Sequence, residues 1–175
     1  SKIENKSNGT LMEQISKKKE IPIDSKLRQK VYNNFDKNLE IILKDITNNN
    51  IPVIISTLTS NLLDQPPFGK NGKEDNESIK SIKFYNKGID FFANQKYDSS
   101  KIYFNKARDL DEIPFRADKN INQIIKKKSN DFKIERLDMD EIFEENSKGG
   151  IPGNNLFSDH LHPNPKGYAL MAYSL

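Results

Sequence analysis

The chain has 175 residues, enough for one domain with a core of its own. Lys and Arg number 28 against 25 Asp and Glu, and the basic runs at 17–19 and 126–128 lack interleaved aromatics. They read as solvated helix faces, which argues against a nucleic-acid partner. No apolar stretch reaches the roughly 20 residues of a membrane span, and the absence of Cys excludes disulfides and thiol chemistry.

Residues 1–24 are polar and are expected to form a lead-in or a surface loop. Over 25–49, Leu27, Val31, Phe35, Leu39, Ile42, Leu43 and Ile46 recur at the helical period, which predicts an amphipathic helix. Residues 51–58 are short, apolar and β-branched, and predict a buried parallel strand. A Pro-rich loop follows over 59–69, at the strand end where open α/β sheets bind ligands. Residues 70–77 read as a charged linker. Over 81–114, Phe84, Gly88, Phe91, Ser100, Phe104 and Ala107 match the spacing of a tetratricopeptide repeat. Two helices breaking around 94–98 are expected, with Gly88 and Ala107 allowing close approach. A lone repeat cannot bury its own face, so this pair must pack on something else and offers a site for a protein partner. A further helix is expected over 117–129, a short strand over 132–137, an acidic helix over 140–146, a flexible loop over 149–153 and a last helix after Pro165. The order is α/β, with few strands.

The chemistry concentrates in 156–168, Leu-Phe-Ser-Asp-His-Leu-His-Pro-Asn-Pro-Lys-Gly-Tyr. Asp159 lies three residues before His162, within reach of the imidazole Nδ1. That contact fixes the tautomer and leaves Nε2 free as a general base. Pro163 turns His162 away from helical geometry, Asn164 is a good N-cap, and Pro165 suits a first helical turn. His162 is thus expected on a loop just ahead of a helix, with His160 pointing elsewhere, to solvent or as a lid. A His160–His162 metal pair with Asp159 is the competing use, but the prolines argue against the strand it would need. A non-catalytic helical-repeat interaction module is the other alternative.

This segment resembles the last block of the SGNH/GDSL hydrolases, in which Asp-x-x-His-Pro is followed by Gly-Tyr and a helix. Residues 51–68, with Ser60-Asn61-Leu62 and Pro67-Phe68, and residues 107–118 resemble a subgroup with a tetratricopeptide-like insertion. The resemblance implies a partial flavodoxin-like three-layer sheet of the SGNH hydrolase type, built from 25–80 and 115–175, with 81–114 as a helical hairpin insertion. It implies a serine esterase acting on O-acyl esters of small molecules or carbohydrates, without cofactor or metal. Asp159 and His162 would be two-thirds of its triad. No Gly-Asp-Ser stands on a strand-to-helix turn in this sequence, so the serine is expected from outside the chain, and this stretch is expected to be part of a longer protein. Ser60 follows the strand but enters no tight turn into a helix. Ser60, Asn61 and Arg116 are therefore expected as cleft-lining residues, Arg116 with a surface or ion-pair role.

Overall fold

The computed structural model describes residues 20–69 and 77–175. Most of the expected lead-in, at 1–19, and the linker at 70–76 lie outside the described residues.

Helix α1 (Lys26–Asn48) starts where the Ser25 side chain accepts the Arg28 N–H at 3.2 Å, satisfying one of the helix's unpaired donors. It ends at Asn49 and Asn50, the latter at φ +54, a left-handed backbone that Asn tolerates. The predicted apolar stripe is only half covered: Leu43 is buried, while Leu27, Val31 and Ile42 are exposed. The helix packs chiefly on α4 (Lys119–Phe132), and one neighbour cannot cover a wide stripe.

Strand β1 (Ile54–Ser56) pairs in parallel with β2 (Glu135–Leu137), Ile54 opposite Glu135 and Ser56 opposite Leu137. This two-stranded sheet is the whole of the sheet among the described residues, which are otherwise mostly helical. The expected flavodoxin-like three-layer architecture is therefore corrected. The predicted eight-residue strand yields three paired residues because the chain is captured by side chains immediately afterwards. Thr57 Oγ1 donates to Asp140 Oδ1 at 2.6 Å, and both backbone groups of Leu58 are taken by the Asn122 amide at 2.8 Å. Such capture removes backbone groups that a longer ladder would need.

The hairpin α2 (Glu77–Ala93) and α3 (Tyr97–Asp109) forms as expected, with the break at 94–96 and Gln95 at φ +58. Gly88 lies so close to Phe104 that an added Cβ would stand 2.9 Å from its ring, and Ser100 Oγ donates to the Gly88 carbonyl at 2.7 Å. Its likeness to a tetratricopeptide repeat rests on spacing alone. One face docks on the loop after β1: Phe104 packs with Leu62 and Ile151, and Tyr85 Oη donates to the Leu63 carbonyl at 2.7 Å.

A second core joins α5 (Met139–Glu145) to α6 (Pro165–Ser174) through Met139, Phe143, Leu156 and Phe157. The run at 126–128 is solvated only in part: Lys127 is exposed, but its neighbours are held in ion pairs. Lys128 has a covered stem and reaches Glu40 at 2.7 Å and Asp36 at 3.2 Å, while Lys126 meets Asp138, Asp140 and Glu141. These pairs fasten α4 to α1 and to α5. No helix among the described residues is long and apolar enough to cross a membrane.

Candidate active site

The segment 156–164 is a narrow loop closed by its own backbone. Phe157 and Pro163 form an antiparallel bridge, Ser158 N donates to His162 O at 2.9 Å, and Asn164 N donates to Leu156 O at 2.9 Å. Asn164 then caps α6, its Oδ1 accepting the Lys166 and Gly167 N–H groups at 2.9 and 3.1 Å. Its Nδ2 reaches back to Asn154 O at 3.0 Å. Gly167 allows the helix to rest directly on this loop, because an added Cβ would overlap the Leu156 carbonyl oxygen.

At the tip, Asp159 Oδ1 accepts the N–H groups of Leu161 and His162, both at 2.8 Å, and Oδ2 stands 2.7 Å from His162 Nδ1. Partial burial pushes the Asp159 carboxyl upward, but these three donors outweigh it and hold the group below its ordinary value. An ionised Asp159 can only accept, so the short contact assigns the imidazole proton to Nδ1. The His162 side chain is 64% exposed, and its Nε2 takes no hydrogen bond among the described residues. That is a base held in one orientation by a carboxylate, with its reactive nitrogen open.

His160 turns inward. Its ring stacks on Phe68 at 4.1 Å and 19°, meets Phe115 edge-on at 6.1 Å, and sets Nε2 3.3 Å from the Pro66 carbonyl. Its own carbonyl accepts from Asn61 N at 3.0 Å. It is therefore neither solvent-directed nor a lid. It pins the Asp159–His162 loop to the loop after β1.

Ser60 and Asn61 are buried, and no hydrogen bond joins Ser60 to His162. Asn61 is a hub: its Oδ1 accepts from Asp64 N at 2.9 Å, its Nδ2 donates to Asn154 Oδ1 at 2.8 Å, and its carbonyl accepts from Arg116. Arg116 is buried rather than on the surface. Its Nη1 donates to the Asn61 and Gln65 carbonyls, each at 2.8 Å, and its Nη2 stands 4.0 Å from Asp111. Burial pulls its guanidinium down to about 10, with Asp111 opposing, and it remains charged at neutral pH. Burial likewise pushes Asp111 up, against the N–H groups of Phe68, Ile113 and Gly69 and the charge of Arg116. Asn61 thereby links Arg116 to the backbone of the Asp159–His162 loop.

The family model described as GDSL-like Lipase/Acylhydrolase matches residues 22–175. The chain belongs to the GDSL-like lipase/acylhydrolase family. No curated protein and no solved structure matches it. The family match runs through the whole of the Asp159–His162 loop and α6.

In this GDSL-like chain the two histidines diverge, His162 to Asp159 and His160 to the Phe68 stack, so they do not converge on one ion. Among the described residues, the acidic group able to face a single ion is Asp138, Asp140 and Glu141, which Lys126 already occupies. Sequence reasoning missed the structural part played by Asp111, Asn154 and His160. The one local signal was the succession of aromatic and proline residues over 65–69, which marked a packed loop without naming its partner.

Proposed function

We propose that this chain supplies the acid–base half of a serine ester hydrolase, with His162 as general base and Asp159 as the carboxylate that orients it. The nucleophilic serine and the oxyanion donors come from polypeptide outside these 175 residues. The observation that carries the reading is the 2.7 Å contact between Asp159 Oδ2 and His162 Nδ1, with Nε2 left open. In the reaction, His162 Nε2 takes the serine proton as the hydroxyl oxygen attacks the acyl carbonyl. It returns that proton to the departing alkoxide, so an alcohol leaves and an acyl-serine remains. Water then repeats the cycle: His162 deprotonates it, the acid is released and the serine is restored. Asp159 stabilises the transient imidazolium. The family match supports an acyl ester of a small molecule as substrate, and the proposal extends this to O-acyl esters of carbohydrates.

A longer polypeptide containing this chain provides the test. A fluorophosphonate probe should label one serine in it, and p-nitrophenyl acetate should be turned over. His162→Ala should lower that turnover on the order of 10³-fold or more, Asp159→Asn less, and His160→Ala least. Label on Ser60, lost in Ser60→Ala, would place the nucleophile inside this chain. Absence of any labelled serine would favour a non-catalytic interaction module, the reading that the α2–α3 hairpin supports.

A further inference from the structure

The α2–α3 hairpin has two faces. Tyr85, Phe92 and Phe104 face the loop after β1 and the core. On the opposite side Phe84, Tyr103 and Phe91 form a ladder of half-buried rings, with centroids 5.8 Å and 5.1 Å apart. Lys87 Nζ lies 5.6 Å above the Tyr103 ring, and Lys106 Nζ lies 5.7 Å from Phe84 and 5.8 Å from Tyr103. Beside the ladder are two hollows of about 300 and 360 Å³, floored by Phe91 with Tyr103 and by Phe84, and sharing Lys87 as their common rim. The single acidic residue lining them is Asp90.

Four of the lysines here stand without carboxylates. Lys83, Lys87, Lys96 and Lys106 make no ion pair among the described residues. An apolar partner alone would bury these ammonium groups uncompensated. The geometry also selects the class of partner. Phe91 and Tyr103 stack on one another at 9°, which takes one face of each ring from the stacking that a nucleobase would seek. The rings lie recessed between lysines as hollows, which suits an inserted side chain better than a bilayer surface.

We propose that the outer face of the α2–α3 hairpin is a docking surface for an acidic protein segment. That segment would set an aromatic or leucine side chain into a ring-floored hollow and its carboxylates on Lys83, Lys87 and Lys106. The assignment is independent of the esterase reading.

The test is selection of a random-peptide library on the immobilised 175-residue chain, followed by fluorescence anisotropy with the enriched peptides. Enriched sequences should be acidic with an apolar anchor, and their affinity should fall with added salt. Lys87→Glu with Lys106→Glu should weaken binding roughly tenfold or more, with an unchanged circular dichroism spectrum. Replacing the peptide's carboxylates by lysines should restore binding to that variant. His162→Ala should bind as the parent does. Failure to enrich any peptide, enrichment of neutral or basic ones, or affinity indifferent to the charge reversal would overturn the proposal. So would lysine-dependent binding to phosphatidylserine vesicles without peptide binding, which would make the face a membrane contact.

Discussion

Gly167→Ala is the most direct probe of how the candidate active site is held. Gly167 is the third residue of α6, and an added Cβ would overlap the Leu156 carbonyl oxygen while standing 2.9 Å from Pro163 Cβ. The carbonyl cannot retreat freely, because it accepts the Asn164 N–H at 2.9 Å, the bond that closes the Asp159–His162 loop. Pro163 is equally fixed, by its bridge to Phe157. Overpacking of this kind costs about 1–3 kcal/mol. Alanine's helical advantage over glycine returns at most about 1 kcal/mol, and less in a first turn. The net expectation is a loss of about 1–2 kcal/mol. For a chain of this size that lowers Tm by about 2–8 °C. Thermal and urea unfolding followed by circular dichroism measure it. Tyr168→Ala serves as the control: its side chain is mostly exposed, and its effect should stay within about 0.5 kcal/mol. A Gly167→Ala protein as stable as its parent would refute the reasoning, since α6 would then be free to lift off the loop without cost. In the parent, the proton on His162 Nδ1 should be visible by NMR as a hydrogen-bonded resonance, and the alanine variant should broaden or shift it.

Other expectations follow from the same geometry. The 175-residue chain alone should hydrolyse p-nitrophenyl acetate no faster than background; turnover lost on Ser60→Ala would contradict this. Arg116→Met should cost about 3 kcal/mol or more in urea unfolding, because it leaves Asp111 buried without its countercharge and the Asn61 and Gln65 carbonyls buried without this donor; a neutral result would mean that the loop repacks. His160→Ala should lose about 0.5–1.5 kcal/mol from the Phe68 stack, read as a lower Tm, whereas a solvent-directed ring would give no change. Glu40 is held down to about 2, first by its hydrogen bond to Lys128 and then by Lys44. Its folded value lies below the unfolded one, so its contribution is complete above about pH 4.3 and is lost as pH falls towards 2. The gap in unfolding midpoint between parent and Glu40→Gln should close over that window, and a gap independent of pH would count against the ion pair.

The Asp159–His162 pairing was legible from sequence because the contacts that make it are local. Asp159 reaches three residues to His162, Asn164 caps the helix that Pro165 begins, and Pro163 keeps His162 out of that helix. Contacts over so few residues follow from backbone geometry and residue type, whatever surrounds them. The helical segments were legible for a similar reason, since apolar periodicity reports a stripe wherever the helix finally packs.

What the sequence could not determine lies in contacts between distant residues. The strand at 51–58 was visible, but its length was decided by Asn122 and Asp140, more than sixty residues onward, which take the chain out of the sheet after Ser56. Lys128 resembled its solvated neighbours until α1 brought Asp36 and Glu40 against it. His160 was a surface histidine in the sequence and became a clamp once Phe68 and Phe115 closed on its ring. Arg116 was read as a surface or ion-pair residue; it does face Asp111, but it is buried, because the loop carbonyls of Asn61 and Gln65 folded over it. Local sequence sets dihedral preference and amphipathic pattern. Tertiary structure alone decides which charges lose their water and which partner replaces it, because desolvation is fixed by every segment that packs against the group.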